Sequence, residues 1–474
     1  VRHRGNAASF EGIGVTNPEH DQLKAEAGKL FRELFPICRS LTGEGVRKTL
    51  KHLSKIADFQ IKEILSGTVA YDWVVPDEWN VAGARLETED GQKIVDFADN
   101  NLHLVGYSVP VNEVMSFDRL DKHLHTLPAR PDAIPYRTSY YTRDWGFCLS
   151  HDQYSKLDRT RRYRVNIDTK LEPGSLTYAE AILPGRSEKE YIVTSYCCHP
   201  SLANDNLSGV IAWILLLRHV AALDRHYTYR FVLAPETIGF IAYLSANESQ
   251  LKSIAGGYVL SCCAGPGKFS YKHSCSQLLN KKMDDVDRAA LIALKEAAVD
   301  FLEFPFDING SDERQFSAPR WRIPTGTISK DKYYEFPEYH TSDDNLGFVS
   351  VDGLLGTLRL YQAAIDNLEQ NSIFNSLMPY CEPMLRKRDL FPSIGGLVNQ
   401  KANLNSVQHR SFQYPGGETR KLSGNELDAL LWLMFFADGK HDLMSVAEKT
   451  GLRMDMIIRA AQTLRGHGLI DLPS

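Results

Sequence analysis

Apolar residues follow three different rhythms along this chain. From Asp21 to Phe35, Leu23, Ala27, Leu30, Phe31 and Leu34 recur at helical spacing, and a second helix is expected from Glu44 to Ile56. The turn-rich Pro36-Ile-Cys-Arg-Ser-Leu-Thr-Gly43 separates the two. Between Gly67 and Thr169 the pattern shortens to β-rich runs, Lys93–Phe97, Leu102–Tyr107 and Tyr163–Ile167, broken by Pro and Asp-Gly. From Tyr191 onward, strands (Tyr191–Tyr196, Tyr229–Ala234, Gly257–Cys262, Ile323–Ser329) alternate with helices (Leu207–Leu223, Asp284–Phe301, Val351–Leu368). That alternation predicts an α/β fold, a mainly parallel sheet with helices on both faces, whose chemistry gathers at the carboxyl ends of the strands. Past Pro383, three short helices (Asn425–Phe436, Asp442–Thr450, Met454–His467) and Leu469-Ile-Asp-Leu472 read as a winged helix.

The expected organisation is therefore a tail (1–20), the N-terminal helices of the α/β domain (21–66), an inserted β-rich domain (67–170), the α/β domain proper (171–382) and a winged-helix domain (383–474). The insert is rich in rings, among them Tyr136, Tyr140, Tyr141, Trp145 and Phe147, which either form its core or wall a cleft.

Composition narrows the classes of function. A chain that is 43% hydrophobic can build real cores, and a formal charge of −5 argues against nucleic acid or an anionic membrane as partner. The winged helix itself is slightly acidic, so a packing or homo-oligomer role is expected of it in place of DNA binding. The longest apolar run, Val210–Leu217, is too short to span a bilayer. The first residues lack the apolar stretch of a signal peptide, and the eight cysteines show no disulfide framework, so a reducing cytoplasm is the expected location.

Four polar clusters each follow an expected strand. They are Cys198-His-Pro-Ser-Leu-Ala-Asn-Asp-Asn-Leu-Ser-Gly209, Ala234-Pro-Glu-Thr-Ile-Gly239, Ser261-Cys-Cys-Ala-Gly-Pro-Gly267 and Tyr339-His-Thr-Ser-Asp-Asp-Asn345. His199, Asp205 and His340 supply two imidazoles and a carboxylate, enough for a catalytic zinc with one position open. Glu236 is then available as a general base outside the ligand set. Each has a structural alternative: a hydrogen-bonded strand-end His, or a carboxylate at a helix start.

These residues resemble the zinc aminopeptidases, the superfamily of bacterial leucyl aminopeptidases, glutamate carboxypeptidase and glutaminyl cyclase. The similarity is closer to an aminopeptidase-like branch with a small inserted domain and a C-terminal winged helix. It rests on Pro36–Gly45, Asp72–Trp79, Asn101–Pro110, Trp145–Ser150 and Gly310-Ser-Asp-Glu-Arg-Gln315 as well as the four clusters. Position by position, the resemblance implies that His199, Asp205 and His340 bind metal and that Glu236 is the base. Two departures stand out. Where the dinuclear enzymes carry a second Glu after the base, this chain has Thr237; where another carboxylate ligand is usual, it has Gly265.

Asp205 is then the one carboxylate ligand left, and two zinc ions would leave about +3 of poorly compensated buried charge, costing several kcal/mol or more. One zinc is the expectation. Cys262 or Cys263 is a candidate replacement ligand, against a reading as buried strand thiols. Asp312, Arg314, Glu338 and Tyr339 are candidate substrate-binding residues, with Glu335 and Glu338 as possible partners for a free amine. The reading is a metal-dependent amide-bond hydrolase, an aminopeptidase or aminopeptidase-like metalloprotease acting on a small peptide or amino-acyl amide. The alternatives are acyl transfer or cyclisation in the manner of glutaminyl cyclase, and a metal-free binding scaffold.

Overall fold

The computed structural model describes residues 2–3, 18–280, 282–390 and 424–472. Most of the expected tail and the stretch 391–423 of the expected winged-helix domain lie outside the described residues. The described chain forms two units, one from Val1–Ala290 with Ala298–Gln362 and one from Leu291–Ala297 with Ala363–Ser474.

Strand Glu190–Tyr196 buries six residues in succession. It does so because it lies in the middle of a nine-stranded sheet and pairs in parallel with Thr228–Ala234 on one side and Ile254–Leu260 on the other. Thr325–Lys330 extends the parallel centre beside Ile254–Leu260. Beyond it lie Phe269–Lys272, antiparallel to Thr325–Lys330, and then Phe301–Phe304. On the opposite flank, Ser175–Leu183 runs antiparallel to both Thr228–Ala234 and Gln60–Leu65. Helix Gly209–Ala221 packs across the three central strands, which is why the apolar run Val210–Leu217 is buried on all sides. No helix among the described residues is long and apolar enough to cross a membrane.

The consecutive strands Glu190–Tyr196, Thr228–Ala234 and Ile254–Leu260 are laid on alternate sides of the first. This reversal opens a crevice at the carboxyl end of Glu190–Tyr196, the place where open α/β sheets bind ligands. His199 and Asp205 lie immediately beyond that end.

A second sheet, with the order Lys93–Asp96, Glu78–Thr88, Arg162–Glu172, Val111–Ser116, is antiparallel throughout. Arg162–Glu172 alternates exposed and buried residues, with Tyr163, Val165 and Ile167 turned inward, as a sheet with one wet face requires. The expected strand Leu102–Tyr107 is instead a 3₁₀ turn, Asn101–His103, whose start is capped by the Asn100 side chain accepting the Leu102 N–H. Its apolar residues are buried without joining a ladder, so period alone misread them.

The two sheets are tied by Arg47 and Glu78. Arg47 Nη1 donates to Glu78 Oε1 at 2.8 Å, and the Ser175 N–H donates to Glu78 Oε2 at 3.1 Å. The Arg47 guanidinium is the main cause holding the Glu78 carboxyl at about 2, below its ordinary 4.5. A carboxyl depressed on folding stabilises fully above its unfolded pKa and loses that contribution as pH falls through the folded one. The stability difference between the wild type and Glu78→Gln, measured as a urea midpoint, is therefore expected to shrink between pH 4.5 and about 2.

One helix and one small sheet depart from expectation. The helix expected to run to Phe301 ends at Glu296; Ala298 turns left-handed at φ 52°, and Phe301 enters the sheet. In the second unit, helices Gly424–Phe436, Leu443–Thr450 and Met454–Gly466 accompany a three-stranded sheet. Its middle strand, Ile373–Ser376, comes from before the winged helix in sequence and separates Asp438–Asp442 from Ile470–Asp471.

Candidate active site

The loop after Glu190–Tyr196 is held from two directions. Arg39, almost fully buried, donates from Nε to the His199 carbonyl at 3.0 Å and from Nη1 to the Leu34 carbonyl at 2.6 Å. Ser201 Oγ donates to the Phe35 carbonyl at 3.0 Å and accepts from Asn101 Nδ2 at 2.7 Å. The Pro36–Gly43 stretch thus sets the backbone from which His199 projects.

The Asn-Asp-Asn-x-Ser run is a set of side-chain clamps. Asn204 Oδ1 accepts the Ala264 N–H, Asn206 Oδ1 the Cys262 N–H, and Ser208 Oγ the Cys263 N–H, at 2.9, 3.2 and 2.7 Å. Asn206 Nδ2 donates to Ser195 Oγ and to the Leu260 carbonyl. Ladder hydrogen bonds end at the strand tips, and these amides and hydroxyls satisfy the buried groups left over. Asp344 takes the Asn204 and Asp205 N–H groups at 2.6 and 2.9 Å. The segment Ala203–Ser208 consequently leaves helical geometry at Asp205 and Asn206 before helix Gly209–Ala221 begins.

Three elements converge through these clamps. His340 Nε2 lies 3.0 Å from Asp205 Oδ2, and His199 Nε2 lies 3.9 Å from the same oxygen. Glu236 Oε2 lies 3.9 Å from His199 Nε2. Asp205 Oδ2 and His340 Nε2 are both buried and face each other, with no other hydrogen-bonding partner among the described residues. A tetrahedral zinc with ligands at 2.0–2.1 Å sets its donors roughly 3.3 Å apart, so His199, Asp205 and His340 fit a divalent ion with no further ligand required. The other Asp205 oxygen accepts from Tyr196 Oη at 2.6 Å. Tyr339 stacks on His340 with ring centroids 3.9 Å apart, and Tyr136 lies edge-on to it.

Electrostatics suit these roles. Burial pushes the His199 imidazole down to about 4, leaving it neutral. Burial opposes ionisation of Asp205, but the facing His199 and His340 rings and the Tyr196 hydroxyl outweigh it and hold the carboxyl at about 2. Glu236 goes the other way: burial first, then the Asp205 charge, push it up to about 7. One carboxyl kept ionised and a neighbour poised near neutrality is the division of labour between a ligand and a base.

Glu236 is positioned by groups that sequence reasoning overlooked. Its carboxylate accepts from Ser311 Oγ at 2.7 Å, and its N–H donates to Cys198 Sγ at 3.2 Å. Cys198 Sγ also lies 3.6 Å from His199 Nδ1, so one sulfur touches both the imidazole and the Glu236 backbone. Its place beside His199 in Cys197-Cys198-His199 was the signal available.

The other expected residues divide. Cys262 and Cys263 are not among the donor groups that converge on His199 in the described residues. Cys262 packs against Tyr333 and Phe336, and burial raises both thiols far above their ordinary range. A Cβ on Gly265 would meet Asp331 Oδ2 at 2.4 Å and the Lys330 carbonyl at 2.8 Å, so the fold has no room for a carboxylate ligand there. Asp312 is buried and accepts the Thr237 N–H at 2.8 Å, behind the cleft-lining Thr237 and not itself among the lining residues. Glu338 faces Arg130 at 3.7 Å. Arg314 and Tyr339 do line the cleft, a cavity of about 320 Å³ shared with His199, Glu236, His340 and the rings of Trp73, Tyr140, Tyr141 and Tyr334.

A family model described as a domain of unknown function, DUF4910, matches residues 28–371, which include every residue of this site. The chain belongs to that family. A winged helix-turn-helix model matches residues 413–472 of this DUF4910 protein. A Clostridium acetobutylicum protein described by polysaccharide biosynthesis and an aminopeptidase-like domain is 40% identical over 457 residues, 96% of this chain and 98% of its own. A crystal structure from the same organism, described as a candidate peptidase, superposes with TM-score 0.85 at 38% identity, over 96% of this chain and 98% of the other. The zinc aminopeptidase BSAP of Bacillus subtilis shares the fold at TM-score 0.53 and 14% identity, over 73% of this chain and 95% of its own. The fold is therefore peptidase-like, with a large mainly parallel sheet and a winged helix at the C-terminal end.

Proposed function

We propose that this DUF4910 protein is a metal-dependent amide hydrolase with one zinc ion, acting on a small peptide or amino-acyl amide. The observation that carries the reading is the meeting of the His199 and His340 imidazole nitrogens and an Asp205 carboxylate oxygen, with Glu236, its carboxyl pushed up to about 7, beside them. His199, Asp205 and His340 would hold the ion, which when bound polarises the amide carbonyl and acidifies water.

This chain's own groups do the rest. Glu236 takes a proton from the attacking water, whose oxygen bonds to the acyl carbon. The C–N bond then breaks with its electron pair going to nitrogen, and Glu236 returns the proton to that nitrogen. Ser311 aims the Glu236 carboxylate, Tyr196 steadies Asp205, and Tyr339 and Tyr136 hold the His340 ring between aromatic faces.

Elemental analysis of protein purified without added metal is expected to find about one zinc or similar divalent ion per chain. Thr237 and the closed position at Gly265 motivate that number, and two tightly held ions would defeat it. Turnover in ¹⁸O-water should place label in the released acid. An unlabelled cyclised or transferred product would replace hydrolysis by acyl transfer. Dipeptides, N-acyl amino acids and an N-acetylated amino sugar make a suitable panel, the last because a relative is described by polysaccharide biosynthesis.

A further inference from the structure

We propose that Arg314 forms a carboxylate subsite, so that the substrate is an N-acylated amide bearing a carboxylate on its amine side and not a peptide with a free amino terminus. This rests on the amide-hydrolase reading above and names the substrate class for the same site.

The first support is the state of Arg314. It lines the cavity beside the base, and its guanidinium makes one hydrogen bond, from Nη2 to Thr237 Oγ1 at 3.2 Å. It forms no ion pair among the described residues: its neighbour Glu313 is engaged by Lys272, and the Glu236 and Asp312 carboxyls feel its charge without pairing with it. A guanidinium with its fork free at the edge of a cavity is built to take a planar anion with two parallel hydrogen bonds. Thr237 makes this possible. An acidic residue at that position would pair with Arg314 and occupy it; a neutral hydroxyl orients the guanidinium and leaves its charge available.

The second support is what the cavity lacks. Glu236 is the one acidic side chain among the described residues that line it. An ammonium group of a free amino terminus would find no carboxylate except the base and would sit near the Arg314 charge. Acylation removes that ammonium, and a carboxylate on the amine side meets Arg314 instead.

The third is the rim. Trp73, Tyr140, Tyr141 and Tyr334 are 40%, 45%, 48% and 61% exposed, and all four line this one cavity. Large rings left open around a single cleft present flat faces for the body of a ligand. A volume of about 320 Å³ suits a molecule the size of an acylated amino acid.

Calorimetric titration of the full-length, metal-loaded Glu236→Gln protein, whose slowed turnover lets binding be read, tests the proposal. The probes are N-acetyl-L-tyrosine, its carboxamide N-acetyl-L-tyrosinamide, and L-tyrosinamide. N-acetyl-L-tyrosine is expected to bind about 10- to 100-fold tighter than the carboxamide, the usual worth of hydrogen bonds to a charged group. L-tyrosinamide should bind weakest. Adding Arg314→Met should remove the preference, and Arg314→Lys should keep part of it. Equal binding of acid and carboxamide, a preference that survives Arg314→Met, tightest binding by L-tyrosinamide, or no binding by any probe overturns the subsite. If Arg314 only adjusts the base, Arg314→Met shifts the pH profile of turnover without touching the calorimetric preference, which also overturns it. Label from ¹⁸O-water with no carboxylate preference defeats this inference alone. A carboxylate preference with no label defeats the hydrolase reading alone.

Discussion

Replacing Glu236 with glutamine is expected to lower turnover by a factor of about 10² to 10⁴ while the protein keeps its fold and its metal. Gln preserves the size of the side chain and can still meet Ser311 Oγ, which now contacts the carboxylate at 2.7 Å. What disappears is the ability to accept and return a proton. His340→Ala should do the opposite. It removes a nitrogen 3.0 Å from Asp205 Oδ2 and one of the donors that fit an ion, so metal content should fall and activity with it. The measurement is metal content and turnover on both variants, with thermal unfolding as the control for folding. If Glu236→Gln lost metal as readily as His340→Ala, Glu236 would be a ligand and the division of roles would be wrong.

The second large effect concerns stability. Lys272 and Glu313 form an ion pair with each side chain about 1% exposed. Lys272 Nζ also donates to Tyr333 Oη at 3.0 Å and to the Asp307 carbonyl at 3.1 Å, and Tyr333 Oη donates to Glu313. Lys272→Met leaves the Glu313 carboxylate buried without its cation and is expected to cost about 3–5 kcal/mol, read as a fall in the urea midpoint. The double variant Lys272→Met with Glu313→Gln removes both charges and should recover much of that loss. Activity of the single variant should fall as well, because Glu313 sits in the short helix Glu313–Phe316 directly after Ser311 and Asp312, which hold Glu236 and Thr237. A single variant with an unchanged midpoint would show that the network adds nothing to stability.

Several features could be read from the order of residues because their causes are local or periodic. Strands buried on both faces announce themselves as mostly apolar, β-branched and aromatic runs without a polar alternation, as Tyr191–Tyr196 and Tyr229–Ala234 do, and those two expectations agree with the observed strands to within a residue. The opening helix, the helices Val351–Gln370 and Met454–Gly466, and the clusters at strand ends were legible in the same way. Short elements whose apolar residues are buried by distant neighbours were not. Ile238–Ala246 is a helix buried along most of its length, with no amphipathic stripe to mark it. Leu102–Tyr107 carries a strand-like pattern, yet it opens in a turn capped by Asn100 and then makes only isolated bridges, from Leu104 to Phe147 and from Gly106 to Thr138.

The site divides along the same line. Residue types at strand ends were enough to single out His199, Asp205, Glu236 and His340, because a strand-to-helix junction leaves polar groups that must either be satisfied or do chemistry. The surroundings of those four depend on segments far apart in sequence. Arg39 reaches the His199 carbonyl across 160 residues, and Asp344 holds the Asp205 N–H across 139. Gly265 cannot bear a side chain because Asp331 and Lys330 crowd it, and Glu338 leaves the cleft because Arg130 attracts it. No local pattern encodes such contacts; they arise when the sheet brings its strand ends together. Sequence alone therefore determined the fold class and singled out the four candidate residues that the fold brings together. Tertiary packing decided which thiol lies against His199 and Glu236 and which acids are spent in ion pairs.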